Sequence, residues 1–277
     1  MSEELLRVAI EAARAGGAEL RRAFRRADLE VEEKGENDFV TAADRASEAA
    51  LLAVVRRSFP DHAILAEEAG ASGDAEWQWI VDPLDGTNNF MQGLPIYCVS
   101  VACCHHGRPV AGVVLEPETG DVFTATLGGG AWWNDRRVHA SRRDGLAGSF
   151  LATGFPFRAL VALDPYLAAF REVFQKARAI RRCGAAALDL AHTASGVYDG
   201  FFELRLSPWD LAAGVLLVEE AGGRVSDLDG GSGYLASGNV VAGGAAVWGE
   251  LRHAVALHVD EAALERLDPS GSGVLTP

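Results

Sequence analysis

The chain has 277 residues and a formal net charge of −14, from 25 Lys and Arg against 39 Asp and Glu. With 49% hydrophobic residues it is long enough for one large domain or two lobes. The acidic surplus disfavours the binding of polyanions, so we expect no direct nucleic-acid binding. An anionic small molecule could still bind through bridging cations.

The first segment predicts an amphipathic helix over about 3–26, with Leu5, Val8, Ala12 and Leu20 on one stripe. It carries acids where a signal peptide has cations, and no apolar run of the sequence reaches the roughly 18–20 residues of a membrane span. Four cysteines in a chain of this length do not indicate a disulfide framework. We therefore expect a cytoplasmic protein without membrane contact.

The following residues predict helices beside a mostly antiparallel sheet. The polar segment VEEKGENDFV (31–40) is predicted to form no element, and a helix is expected over Ala42–Ser58. Apolar runs separated by turn residues predict strands at 61–66, 77–81, 96–105 and 109–115, with further hairpin strands between 120 and 141.

The remainder alternates in α/β style. Strands are predicted at 149–153, 178–181, 199–203 and 224–226, and helices at 164–177, 185–196 and 209–221. The change of pattern predicts a boundary near 140–148, with an N-terminal α+β lobe (1–145) and a C-terminal α/β lobe (146–277).

The stretch WIVDPLDGTNNF (79–90) carries two aspartates at the end of an apolar strand. Asp-Pro and Asp-Gly pairs are also ordinary turn formers, so a purely structural role stays open. Two carboxylates with the Leu84 carbonyl between them could bind small cations such as Mg²⁺, which prefers oxygen ligands. Gly86 and Thr87 then begin a predicted short helix, whose first N–H groups could hold an anion. Asp82 and Asp85 are therefore candidate metal ligands.

Three further acids are candidates with a competing structural explanation. Glu67 follows the strand HAILAEE and is either a metal ligand or an exposed loop residue. Thr41 and Asp44 match a helix capping box, and Asp44 could additionally point at Thr87 to orient an attacking water. Asp210 in SPWDLAAG is either favoured by the helix dipole or a distant metal ligand.

Cys103, Cys104, His105 and His106 are residue types found in zinc sites. They are adjacent on a predicted strand, where successive side chains point to opposite faces. The pattern therefore does not predict a zinc site. Lys34 alone indicates only a solvated surface lysine.

These blocks together resemble the inositol monophosphatase family over nearly the whole chain. The resemblance rests on WIVDPLDGTNNF with WDLAAGVLLVEEAGG (209–223), supported by AEE (66–68), DFVTAADRASE (38–48), GAAALDLA (184–191) and YDGFFE (198–203). It implies a layered αβαβα sandwich of the inositol monophosphatase and fructose-1,6-bisphosphatase type, an α+β fold. It also implies a homodimer with two or three Mg²⁺ per subunit, replaceable by Mn²⁺ and inhibited by Li⁺ and Ca²⁺.

The resemblance also implies roles for individual residues. One Mg²⁺ would bind Glu67, Asp82 and the Leu84 carbonyl. A second would bind Asp82, Asp85 and Asp210. A third, weaker ion would bind Glu67 and waters. Thr87 with Asp44 would position the nucleophilic water, and Glu67 belongs with them to the catalytic set. Substrate would contact Asp85, Gly86, Thr87, Ala186, Glu203, Asp210 and Lys34. Ala66 and Ala185 depart from the family pattern, and Ala66 should be harmless unless its φ must be positive.

The residues Asn88, Asn89 and Phe90 and the segment TGFPFR (153–158) resemble the inositol-phosphatase subgroup. The resemblance thus implies hydrolysis of myo-inositol monophosphate by a metal-activated water attacking in line, without a covalent intermediate. A fructose-1,6-bisphosphatase, or another phosphatase of small sugar or polyol phosphates, is the alternative enzyme. Two further alternatives are a non-catalytic regulator bound to nucleic-acid machinery and a structural Mg²⁺-binding protein.

Overall fold

The computed structural model describes residues 2–26, 31–35, 38–157 and 160–260, and their elements stack as helices, sheet, helices, sheet and helices. The layered αβαβα fold predicted above is therefore confirmed. Three apolar clusters hold the layers together: one surrounds the central helices between the two sheets, and one lies between each sheet and its outer helices.

The first outer layer consists of α1 (Ser2–Ala23) and α2 (Ala42–Ser58), joined by the hairpin β1 (Val31–Gly35) and β2 (Asp38–Thr41). Both helices pack on an eight-stranded sheet. Its order is β10 (Arg136–Val138), β9 (Gly130–Trp133), β8 (Asp121–Thr126), β7 (Arg108–Glu116), β6 (Cys98–His105), β5 (Trp77–Asp85), β3 (Ala63–Ala66) and β4 (Gly70–Ser72). Only the β3–β5 pair is parallel among these neighbours.

The alternation of β5 explains how this sheet can be covered on both faces. Trp79 and Val81 lie in the cluster with α1 and α2, whereas Ile80 lies in the cluster on the opposite face. That second face is covered by α5 (Ala186–Ala194) and α6 (Pro208–Glu220). Because α6 lies between two sheets, its apolar residues surround the helix and are almost all buried.

The second sheet packs on the far side of α5 and α6. Its order is β12 (Ala179–Arg181), β11 (Phe150–Thr153), β13 (Gly200–Glu203), β15 (Val240–Gly243) and β14 (Arg224–Ser226). The last layer is α4 (Leu163–Lys176), preceded by a 3-10 turn (Leu160–Ala162), together with α8 (Ala245–Ala256). The short helices α3 (Thr87–Met91) and α7 (Tyr234–Ser237) lie in loops between strands.

The structure differs from the sequence predictions in three elements or groups of elements. Residues 31–35 and 38–41 form the paired strands β1 and β2, whose sequence lacks the apolar alternation typical of a strand. Strands β4 and β15 and helices α7 and α8 were not predicted. The second sheet is mixed, because β15 runs antiparallel to β13 and β14 while β11 runs parallel to β12 and β13.

The proposed boundary near 140–148 stays a prediction. It falls between the last strand of the first sheet, at Val138, and the first strand of the second, at Phe150. Within the described ranges, no helix is both long and apolar enough to cross a membrane. Residues 261–277 of the predicted second lobe, and the side chain of Lys34, lie outside what the structure describes.

Candidate active site

A bulge at the end of β5 brings Asp82 and Asp85 to the same side of the sheet. Side chains three residues apart on a regular strand point to opposite faces. Here Asp82 pairs with Ser100 and Asp85 with Cys98, so three steps along β5 match two along β6. The extra residue restores a common direction. Pro83 occupies the bulge, where its missing N–H breaks no ladder bond, and the Leu84 N–H donates to Asp82 Oδ1 at 2.9 Å.

The two aspartates meet Asp210, which approaches from the first turn of α6. Carboxylate oxygens of Asp82, Asp85 and Asp210 all lie within 4.8 Å of one another, and each residue is at least nine-tenths buried. The Ser207 N–H donates to Asp210 Oδ2 at 2.7 Å and fixes that side chain at the helix start. Glu67, at the end of β3, contacts the Asp82 carboxyl. The four acids that the sequence singled out from three separate segments therefore converge.

Burial and mutual repulsion make this cluster unfavourable for several negative charges at once. The pKa of Asp82 is raised well above its ordinary value by burial first and then by Glu67, Asp85 and Asp210. Burial, reinforced by Asp210, raises the pKa of Asp85 to about 7. A bound divalent cation would relieve both effects. The all-oxygen donor set fits hard cations such as Mg²⁺, with Glu67, Asp82, Leu84, Asp85 and Asp210 lining one cleft.

Asp44 approaches this cleft from the opposite helical layer. Thr41 caps α2 by accepting from the Ala43 N–H at 3.1 Å, and its own N–H and hydroxyl donate to Asp44 Oδ2 at 2.9 and 2.6 Å. The Thr87 hydroxyl lies 3.2 Å from Asp44 Oδ1 and 3.1 Å from the Leu84 carbonyl. Burial raises the pKa of Asp44 to about 6, opposed by the Thr41 bonds. The capping box is thus present, and it also orients Asp44 towards Thr87.

Asp85 also holds the start of α5, which sequence reasoning missed. The Ala186 and Ala187 N–H groups donate to Asp85 Oδ1 and Oδ2 at 3.2 and 2.8 Å, and the Cys98 thiol lies 3.5 Å from Oδ2. Helix N-termini favour anions, so α5 partly compensates the buried charge. Alanine at the N-cap, position 185, was the available signal for this contact. A buried helix start without a capping side chain needs an acceptor from elsewhere in the chain.

The far wall of the cleft comes from the second sheet and its loops. Ala186 and Glu203 line it, and their contact with substrate stays a prediction from the family resemblance. Burial, with Asp189 and Asp210, raises the pKa of Glu203 well above its ordinary value. Arg182 and Phe157 also line it and were not singled out; the guanidinium carbon of Arg182 lies 5.1 Å from the Phe157 ring centroid.

Two backbone details bear on the predictions. Ala66 is buried in β3 and is absent from the non-glycine residues with positive φ among those described, so alanine fits there without strain. The Asn89 side-chain amide, in the middle of α3, donates to the Ile96 and Cys183 carbonyls at 2.7 and 2.8 Å. Asn89 therefore ties α3 to the loop before α5, and that loop forms part of the wall of the cleft.

The five-layer αβαβα fold, with clustered carboxylates in one cleft, is that of the inositol monophosphatases. Residues 1–262 match the inositol monophosphatase family, and the chain belongs to that family. Membership supports a phosphatase, and the family is generally Mg²⁺-dependent.

Individual relatives carry two kinds of name. Nus factor SuhB of Pseudomonas aeruginosa is 47% identical over 248 residues, covering 87% of this chain and 92% of the relative. The extragenic suppressor protein suhB of Bartonella henselae is 40% identical with a TM-score of 0.88, covering 91% of this chain and 98% of that structure. The inositol monophosphatase of Anabaena is 38% identical with a TM-score of 0.84, covering 94% and 98%.

Proposed function

We propose that the protein is a Mg²⁺-dependent phosphomonoesterase that hydrolyses myo-inositol monophosphate to inositol and phosphate. The observation that carries the proposal is the convergence of Asp82, Asp85, Asp210 and Thr87 in one cleft, with the Thr87 hydroxyl hydrogen-bonded to the buried Asp44 behind it. A relative named inositol monophosphatase with the same fold supports the choice of substrate.

The carboxylates would hold two or three Mg²⁺, with Mn²⁺ as a substitute and Li⁺ and Ca²⁺ as inhibitors. Glu67, Asp82 and the Leu84 carbonyl are assigned to one ion, and Asp82, Asp85 and Asp210 to another. When bound, such ions neutralise phosphoryl oxygens and acidify water in phosphate-ester hydrolysis.

The remaining chemistry belongs to the chain. The Thr87 hydroxyl carries one hydrogen, which it can donate to Asp44 or to the Leu84 carbonyl, and its lone pairs remain available to accept from a water. With a pKa of about 6, Asp44 is mostly ionised at pH 7 and can take up the Thr87 hydroxyl proton as Thr87 accepts one from that water. No covalent intermediate is required, because the water attacks directly.

Substrate binding is assigned to both walls of the cleft. The Gly86 and Thr87 N–H groups would hold the phosphate near the ions, and Ala186 and Glu203 would contact the polyol hydroxyls. Lys34 stays a predicted contact. Arg182 brings a positive charge to the same cleft and favours an anionic substrate.

A panel of phosphate esters tests the substrate. Inositol 1-phosphate, fructose 1,6-bisphosphate and other sugar phosphates are assayed with Mg²⁺, with and without Li⁺. We expect the highest kcat/KM for inositol 1-phosphate and loss of rate with Li⁺. A higher kcat/KM for fructose 1,6-bisphosphate would favour the alternative enzyme instead.

The name Nus factor, carried by relatives 46–47% identical, favours a regulatory role as a second candidate. Asp82→Asn separates the two, because it removes a central ligand and a buried charge without changing side-chain shape. We expect Mg²⁺-dependent hydrolysis to fall by several orders of magnitude with the far-UV circular dichroism unchanged. If cells carrying Asp82→Asn keep the wild-type phenotype, the regulatory role is supported. Unchanged hydrolysis would refute the ligand assignment.

A homodimer and a cytoplasmic location complete the proposal. Leu163, Leu167 and Phe174 are 37, 44 and 63% exposed on one stripe of α4, which supports association through an apolar face. All four cysteines are free, as expected in a reducing compartment. Light scattering of the purified protein tests the dimer.

A further inference from the structure

The turn between β6 and β7 brings two histidines together. Successive strand residues normally point to opposite faces, and Cys103 and Cys104 do so, each in a different core cluster. His106 leaves the strand with a φ of +49°, a left-handed conformation, and its ring lies 4.2 Å from that of His105. The alternation expected from the sequence therefore fails at the histidine pair.

A carboxylate faces this pair. Glu76 lies immediately before β5, and its carbonyl accepts from the His106 N–H at 2.8 Å. Its Oε2 lies 4.0 Å from His105 Nε2 and 3.8 Å from His106 Nε2. One potential ligand atom from each of the three residues lies within 4.8 Å of the other two.

We propose that Glu76, His105 and His106 form a surface site for a divalent late transition metal. The bound ion is Zn²⁺, and a water is the fourth ligand of its tetrahedral shell. Imidazole with one carboxylate suits Zn²⁺, Ni²⁺ and Cu²⁺ and discriminates against Mg²⁺, which prefers oxygen. The site is therefore chemically distinct from the all-oxygen cleft.

The distances require a small closure, and the residues allow it. Zinc–ligand bonds of about 2.0–2.1 Å place neighbouring tetrahedral ligand atoms about 3.3 Å apart. His105 is held by stacking on Trp77, with ring centroids 4.1 Å apart and planes at 21°. The side chains of Glu76 and His106 are 69 and 62% exposed and can rotate towards it. One ligand is thus held by packing, and the other two are exposed side chains with room to turn.

The site lies at the opposite end of β5 from the candidate active site. Trp77 pairs with His105 at one end of the strand, and Asp85 pairs with Cys98 at the other. A metal bound by Glu76 and both histidines would tie the residue before β5 to the β6–β7 turn. Because Glu76 meets both histidines only in the folded arrangement, the metal binds that arrangement more tightly and stabilises the protein without entering the hydrolytic chemistry.

Calorimetric titration of Zn²⁺ into the folded protein tests the site. It is run in excess Mg²⁺ and repeated on Asp82→Asn, so that binding in the carboxylate cleft is recognised. We expect one Zn²⁺ per chain that persists in Asp82→Asn. His106→Asn, which keeps a residue tolerant of positive φ, and Glu76→Gln should each weaken that binding at least about tenfold.

His258→Asn is the matched control, since His258 pairs with one carboxylate, Glu172, at 2.7 Å and belongs to no such three-residue cluster among the described residues. It should leave Zn²⁺ affinity unchanged.

Ni²⁺ should also quench the fluorescence of Trp77, and that part of the quenching should disappear in Trp77→Phe. Equal Zn²⁺ affinity in wild type, His106→Asn and Glu76→Gln would overturn the site, and a changed rate of Mg²⁺-dependent hydrolysis in His106→Asn would overturn its independence from the cleft.

Discussion

Gly86 turns the chain from β5 into α3 at a position where a side chain has no room. Its φ is +97°, and a Cβ would lie 2.9 Å from the Ile96 carbonyl oxygen and 3.3 Å from Tyr97 Cα. Alanine there meets both a left-handed backbone and fixed main-chain atoms. Gly86 lines the cleft between Asp85 and Thr87 at this close approach of two backbone segments.

We expect Gly86→Ala to destabilise the protein and to lower kcat/KM. The left-handed φ alone costs about 1–2 kcal/mol, and the contacts with residues 96 and 97 should add roughly 1–3 kcal/mol. Gly120→Ala is the control, because its φ is +76° but nothing lies within 4 Å of the added carbon. Urea unfolding of both variants gives the contribution of the contacts with residues 96 and 97 as the difference between their losses of unfolding free energy. Equal losses would contradict the claim that a side chain has no room at Gly86.

Thr87 allows a test in which shape is held constant. Thr87→Val removes the hydroxyl that lies 3.2 Å from Asp44 Oδ1, whereas Thr87→Ser keeps it. If the hydroxyl orients the attacking water, kcat should fall about 10²–10⁴-fold in Thr87→Val and less than about tenfold in Thr87→Ser. Similar kcat values for the two variants would exclude this role for the hydroxyl.

At the scale of elements, three helices begin at or directly behind the cleft, each with a carboxylate against its first turn. Asp44 and Asp210 belong to the first turns of α2 and α6, and Asp85 accepts from the first N–H groups of α5. The positive ends of the helices therefore converge on acids whose burial is otherwise unfavourable. The same arrangement couples the stability of each helix to the geometry of the site.

Thr41 measures that coupling for α2. Thr41→Ala removes the cap acceptor and the hydroxyl that donates to Asp44, so we expect a loss of about 0.5–2 kcal/mol in the free energy of unfolding together with a lower kcat. Thr41→Ser retains both interactions and should resemble the wild type. A stability loss without any change in kcat would show that the cap does not orient Asp44.

The sequence predicted those parts of the fold and site that leave a local pattern. Asp82, Asp85 and their turn are visible in one short motif, and Thr41 with Asp44 is a recognisable capping box. The contact between Asp85 and α5 joins residues about a hundred positions apart, and only the tertiary fold brings them together. The His105–His106 pair depends on one positive φ that strand periodicity does not predict. Strand β15 is short and flanked by glycines, so its pairing was decided by the rest of the second sheet.

For the whole molecule, the buried acids predict an unusual dependence of stability on pH. Burial raises the pKa values of Asp82 and Glu203 well above the ordinary range, that of Asp85 to about 7 and that of Asp44 to about 6. Unfolded carboxyls titrate near 4, so from about pH 4 to 7 the metal-free folded state binds more protons than the unfolded state. Stability from these groups is therefore fully present below about pH 4 and is lost as pH rises from there through 6 to 7.

Divalent cations should reverse this trend, because they replace the missing protons. With EDTA, we expect Tm to fall between pH 5.5 and 8; with Mg²⁺, the rise in Tm should be larger at pH 8, where the acids are ionised and free to bind. Asp85→Asn is the control, since it keeps the side-chain shape but removes one titrating group, and both effects should shrink. Differential scanning calorimetry in matched buffers provides the measurement. A Mg²⁺-induced rise in Tm that is equal at both pH values would mean that these carboxylates are not the groups linking metal binding to folding.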